Sequence, residues 1–140
     1  MSKVAVVYWS MTGNTEKMAN AVADGAKKAG AQADVIEAAD FGPDKIDAYD
    51  AIGFGCPAMG DEVLEEEIFE PMFTACESKL SGKKIALFGS YDWGDGEWMR
   101  SWNDRCQAAG AEMACDFVIC HLEPEQDGIT ACEQLGAALA

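Results

Sequence analysis

Five strand-like, largely apolar runs punctuate the chain. The first, VAVVY at residues 4–8, is apolar at every position rather than at alternate ones. That pattern fits a strand covered on both faces, as in a parallel sheet. ADVIEA (33–38), YDAIGFGC (49–56), IALFGS (85–90) and ACDFVIC (114–120) are of similar length. Between them the apolar spacing changes to that of helices. Thr15 to Ala29 places Met18, Val22, Ala26 and Ala29 on one stripe, and Gly30 stands where a helix C-cap belongs. Val63 to about Cys76 predicts a second helix, bent or interrupted near Pro71. Glu97 to Ala109, closed by Gly110, predicts a third, and Gln126 to Leu139 a fourth. SGKK (81–84) reads as a turn. No repeat, linker or low-complexity stretch interrupts the order, so residues 1–140 are expected to form one domain.

Strands alternating with helices imply an α/β fold, a parallel sheet with right-handed crossovers and helices on both faces. In such folds ligands bind beyond the C-terminal ends of the strands, where the strand order reverses. Three loops that follow apolar runs have unusual composition: residues 10–15, 56–62 and 90–98.

Charge and cysteine usage narrow the classes of partner. There are 25 acidic against 10 basic residues, a formal charge of −15. Nucleic acid and anionic membranes are poor partners for such a surface. A basic protein partner fits it, and so does a role in solubility alone. The cysteines at 56, 76, 106, 115, 120 and 132 show no C-x-x-C spacing, so they read as free thiols. His121 is the only histidine and reads as structural. The N-terminus, MSKVAVVYW, is polar and then strand-length, and no apolar run reaches the roughly 20 residues of a membrane span. The expectation is a cytoplasmic protein.

The first loop, Ser10-Met11-Thr12-Gly13-Asn14-Thr15, precedes a helix and carries no cation before Lys17. Helix N-termini offer unpartnered N–H groups and the positive end of the dipole, and the hydroxyls and amide add donors. Either an anion site or an elaborate N-cap around Asn14 or Thr15 satisfies this composition. With no G-x-x-x-x-G-K-[ST] and no G-x-G-x-x-G, nucleoside triphosphates and dinucleotides are unsuited. Neutral donors favour a terminal phosphate monoester. In the second loop Met59 is soft enough to lie on a flat ring, and Gly60 inverts its peptide at little steric cost. A plain strand-to-helix turn, with Asp61 near the helix start, fits equally. The third loop crowds Tyr91, Trp93 and Trp98 among Gly94, Asp95 and Gly96, which suits stacking on a planar ligand. Trp98 and Trp102, four apart, suit core packing.

VVYWSMTGNTEKMANAV (6–22) matches the flavodoxin N-terminal signature at Tyr8, Ser10, Gly13, Thr15, Ala19 and Val22. GCPAMGDEVLEEE (55–67) and LFGSYDWGDGEWM (87–99) look like the two flavin loops of short-chain, clostridial-type flavodoxins. The chain therefore resembles that family over nearly its whole length. The resemblance implies a flavodoxin-like doubly wound five-stranded sheet of order 2-1-3-4-5 with FMN at the switch point, both inherited from the family rather than read from spacing. It also implies cofactor contacts from Ser10, Met11, Thr12, Gly13, Asn14 and Thr15 around the phosphate. Further contacts are implied from Pro57, Ala58, Met59, Gly60, Asp61 and Glu62, and from Gly89, Ser90, Tyr91, Asp92, Trp93 and Gly94. Met59 and Trp93 are expected on opposite flavin faces, the Gly60 peptide at flavin N5, and Glu62 at flavin N3–H.

Two positions depart from close relatives, which often have glycine at both. Met11 must turn its side chain out of the phosphate loop. Asp92 adds a negative charge beside the flavin. One anion about 8 Å from reduced flavin, at an effective dielectric near 20, disfavours its anionic form by roughly 2 kcal/mol, on the order of 90 mV. The function implied is low-potential one-electron transfer on the semiquinone/hydroquinone couple, in place of ferredoxin, by a protein that is not an enzyme. A small FMN-dependent NAD(P)H quinone reductase is the alternative. Seven acids and no bases lie between Asp61 and Glu77. This face is expected to meet basic patches on reductases and ferredoxin-dependent enzymes, transiently and as a monomer. A signalling receiver domain would need an aspartate where Gly55 and Cys56 stand, and no cysteine begins a C-x5-R phosphatase motif.

Overall fold

The apolar runs do form strands, buried in the centre of the sheet and partly exposed at its edges. In the structure, a computed structural model describing residues 2–140, β1 is Lys3–Tyr8, β2 Gln32–Glu37, β3 Ala51–Gly55 and β4 Lys84–Tyr91. The helices are α1 (Asn14–Lys28), α2 (Phe69–Glu77), α3 (Glu97–Ala108) and α4 (Gln126–Leu139). The sheet is parallel throughout, in the order β2-β1-β3-β4 and then β5, the short strand Glu112–Met113. Alternate side chains of each strand enter opposite cores. Ala5, Val7, Ile52, Phe54, Ile85 and Leu87 pack beneath α2 and α3. Val4, Val6, Tyr8, Ala86 and Phe88 pack beneath α1 and α4. Trp98 and Trp102 are both 2% exposed, as core residues should be, and Trp102 meets Phe69 and Phe73 edge to face at 5.4 and 5.7 Å.

Three elements differ from expectation. The fifth strand is split: β5 is Glu112–Met113 and β6 is Val118–His121, and both pair with β4. Met113 stands opposite Ile85 and Val118 opposite Phe88, so the edge carries more chain than β4 and bulges out between them. The second helix begins at Phe69 rather than Val63. Val63 is instead held by an antiparallel bridge to Met59, with N–H···O bonds of 2.8 and 2.9 Å. The buried Glu65 carboxylate then accepts the N–H groups of Glu67, Ile68 and Phe69 at 2.8, 2.7 and 2.7 Å, which starts the helix there. Pro71 falls in the first turn of α2, where an N–H is not required, so it causes no bend. The connection from β2 to β3 contains two 3-10 turns, Ala38–Asp40 and Pro43–Ala48, that no periodicity announces.

Helices α1 and α4 approach unusually closely. A β-carbon on Gly25 would overlap the Glu133 carbonyl oxygen, and one on Gly136 would overlap the Val22 carbonyl oxygen. Each glycine thus admits the backbone of the other helix.

Candidate functional site

The three loops singled out by composition leave the sheet side by side. Trp9 N–H donates to the Gly55 carbonyl at 3.0 Å, Cys56 N–H to Phe88 at 3.2 Å, and Ala58 N–H to Ser90 at 3.1 Å. They emerge at the C-terminal ends of β1, β3 and β4, and the order reverses between β1 and β3.

In the first loop the helix cap is Gly13, in left-handed conformation at φ 97°, and neither Asn14 nor Thr15 caps α1. Ser10 Oγ folds over the turn and accepts the N–H groups of Gly13 and Glu16 at 3.1 and 3.3 Å. Thr15 and Ser90 share a buried hydroxyl–hydroxyl bond of 2.9 Å that joins the first loop to the third. Met11 is 66% exposed, so its side chain leaves the loop as expected. Below the loop, Tyr8 donates its hydroxyl to Glu16 at 3.0 Å. Burial first, and then the Glu16 carboxylate, push the Tyr8 phenol up to about 12.

The second loop is a tight turn closed by the Met59–Val63 bridge, with Gly60 at φ 52° and Glu62 at φ 55°. A β-carbon at Gly60 would meet nothing within 4 Å, so glycine is favoured there by backbone angle rather than by crowding. Glu62 Oε1 accepts the Glu97 N–H at 3.1 Å and so caps α3, and a β-carbon on Gly94 would come within 2.6 Å of its carboxylate. Cys56 lies beneath, its thiol pushed up by burial. Its carbonyl accepts the Trp98 indole N–H at 3.2 Å.

In the third loop Trp93 is 60% exposed, an unusual position for an indole. Tyr91 is half-buried, its ring 5.7 Å from that of Trp98. Arg100 holds the Asp95 carbonyl and carboxylate at 3.0 and 3.1 Å.

These loops enclose a cavity of about 130 Å³ lined by Ser10, Met11, Thr12, Asn14, Thr15, Pro57, Ala58, Met59, Ser90, Tyr91, Asp92 and Leu122. Eleven of these are among the expected site residues; Leu122 is not. It follows β6 and adopts φ 61°, rare for leucine. Its position was open to inference, because the loop after the fifth strand leaves the same sheet end. Gly13, Gly60, Asp61, Glu62, Gly89, Trp93 and Gly94 do not line the cavity. Gly89 is buried in β4, where a β-carbon would overlap the Cys56 carbonyl. Trp93 and Gly94 are exposed residues of the third loop. A second, wider groove of about 460 Å³ runs past Met11 and Met59 to Trp9, Val63, Glu66 and Glu67.

Residues 6–136 match the family model described as Flavodoxin. The chain belongs to the flavodoxin family. It is 44% identical to the flavodoxin of Megasphaera elsdenii over 98% of both chains. It is 46% identical to that of Clostridium beijerinckii over 86% of this chain and 88% of the other. Its fold superposes on the solution structure of two-electron reduced Megasphaera elsdenii flavodoxin with a TM-score of 0.87, covering 97% of each chain. It likewise superposes on the oxidised flavodoxin 1 of Bacillus cereus, 30% identical, with a TM-score of 0.86 over 99% of this chain and 97% of that one. Flavodoxins are FMN proteins that carry electrons. The donor set here fits such a group: hydroxyls, an amide and the N-terminus of α1 are suited to an anion, and a thioether and an exposed indole to a flat ring.

Proposed function

We propose that this chain is a low-potential one-electron carrier that holds FMN non-covalently and passes electrons between other redox proteins, as ferredoxins do. The observation that carries the reading is the uncharged, donor-rich first loop at the strand-order switch, which shares one cavity with Met59 and Tyr91. Bound FMN supplies the one-electron chemistry. The chain's own residues bind, orient and tune it. Ser10, Thr12, Asn14, Thr15 and the first N–H groups of α1 would hold the phosphate. Met59 and Trp93 would cover the two ring faces and exclude water from them. Glu62, with one carboxylate oxygen engaged at the start of α3, keeps the other available to a ring N–H. The remaining residues of 57–62 and 89–94 would supply backbone groups to the ring edge.

The docking face is narrower than its acid count suggests. Glu65 is used to start α2, and Glu70 and Glu77 are both paired with Arg105. Asp61, Glu66 and Glu67 remain exposed beside the uncovered apolar side chains of Val63 and Ile68. We assign this patch to transient contact with basic surfaces of reductases and ferredoxin-dependent enzymes. The carrier is read as a monomeric, single-domain cytoplasmic protein without a substrate of its own. Among the described residues no helix is long and apolar enough to cross a membrane.

The test is direct. Protein freed of flavin and mixed with FMN is expected to quench the fluorescence of the added FMN stoichiometrically. Unquenched fluorescence at micromolar protein overturns the reading, and steady oxidation of NADH by the pure loaded protein would replace it with the reductase alternative.

A further inference from the structure

The chain's single histidine is bonded to the loop that carries Trp93. β4 and β6 stay in parallel register up to Tyr91 opposite His121, and Leu122 N–H closes the pairing on the Tyr91 carbonyl at 2.8 Å. Beyond that point the ladder ends. There His121 Nε2 lies 2.9 Å from the Asp92 carbonyl oxygen. A carbonyl only accepts, so Nε2 carries the hydrogen and donates it. The imidazole also rests on the Tyr91 ring, with centroids 5.1 Å apart. Among the described residues this is the one hydrogen bond made to Asp92 or Trp93. Farther along, Arg100 fixes Asp95 and Glu62 fixes the Glu97 N–H. The peptide that joins Asp92 to Trp93 therefore takes its orientation from the imidazole.

We propose that His121 is a positioning residue for FMN. Its bond to the Asp92 carbonyl holds the Asp92–Trp93 peptide, and with it the Trp93 indole, in the arrangement that a flavin face meets. The inference rests on the electron-carrier reading above. Its physical basis is preorganisation: an untethered loop must be ordered when the ligand arrives, and that ordering weakens binding. Because the bond goes to a backbone carbonyl, the identity of the side chain at position 92 does not affect it.

Two variants separate the bond from the packing of the ring. His121→Phe keeps an aromatic ring against Tyr91 and removes the donor. His121→Gln removes the ring and keeps an amide N–H at similar reach. FMN titration of the flavin-free proteins is expected to show affinity about 3- to 10-fold weaker for His121→Phe, the range expected for one neutral hydrogen bond. His121→Gln is expected to bind nearly as tightly as the native protein. The visible circular dichroism of the bound flavin should change in the first variant and recover in the second, with thermal midpoints alike in both. Native-like affinity in His121→Phe overturns the proposal, as does a loss in His121→Gln equal to that in His121→Phe. Failure of the native protein itself to bind FMN would instead strike the electron-carrier reading.

Discussion

Glu65 shows how one side chain decides where a helix begins. The residue is 6% exposed, and its carboxylate accepts three backbone N–H groups ahead of α2. Burial alone would raise its pKa, but the bonds from Phe69, Ile68 and Glu67 outweigh burial and hold it below the usual 4.5. A carboxyl with a lowered folded-state pKa stabilises the fold above its unfolded value and loses that contribution as pH falls through the folded one. Glu65→Gln presents an amide to the Glu67 N–H and should lower unfolding free energy at pH 7 by about 1–3 kcal/mol. In urea unfolding the gap from native should shrink as pH drops below 4.5; a gap independent of pH would refute this assignment. Asp92 is exposed at the cavity mouth. Asp92→Gly keeps the backbone carbonyl that His121 holds and removes the charge together with the side chain. The potential for the second electron should rise by tens of millivolts, with about 90 mV as the limit before solvent screening; an unchanged value in redox titration excludes a role for this charge. Met11, Met59 and Asp92 were legible as residues near the cavity because each sits in a loop that follows an apolar run at the same end of the sheet. The bond from His121 was not, since a lone histidine carries no local signal of what it faces, and Leu122 could be placed only by noting that the loop after the fifth strand leaves the same sheet end.

Apolar runs and turn residues located β1 to β4 and three helices to within a few residues, most plainly for β1, β3 and β4, where burial on both sheet faces leaves a continuous pattern. The errors lie where side chains or edges override periodicity. Val63 to Ile68 has helical spacing, yet the Met59–Val63 bridge and the Glu65 carboxylate claim those backbone groups first. ACDFVIC reads as one strand, yet only its end pairs with the upper part of β4. The α1–α4 contact was likewise invisible, since Gly25 and Gly136 sit inside helical patterns where glycine usually only weakens the helix. Alanine in an open helix would stabilise by up to about 1 kcal/mol. At Gly136 the added carbon would strike the backbone of α1, a clash of about 1–3 kcal/mol when overpacking forces elements apart. The clash should win, because a main-chain carbonyl cannot rotate away as a side chain can. Gly136→Ala should therefore lower the denaturant midpoint, and a raised midpoint would show that the helices separate freely.

For the whole molecule, a charge of −15 on 140 residues produces a long-range field, while few individual ion pairs matter. Lys17–Glu123 and Lys28–Glu133 lie on the surface, whereas Arg105 is partly buried between Glu70 and Glu77. Electron transfer from the loaded protein to a basic partner should slow markedly as ionic strength rises past about 0.1 M, where the screening length is about 10 Å. A rate in stopped-flow mixing that ignores salt would remove Asp61, Glu66 and Glu67 from the encounter. The close approach of α1 to α4 reaches further than stability. α1 starts at the first loop of the cavity and α4 follows the loop that presents Leu122, so their shared backbone contact makes one lever of two walls of the cavity. Glycine alone lacks a β-carbon. Every missense change at codons 25 and 136 therefore adds one, and a saturation library screened for colour should return those two codons unaltered even where the rest of both helices drifts.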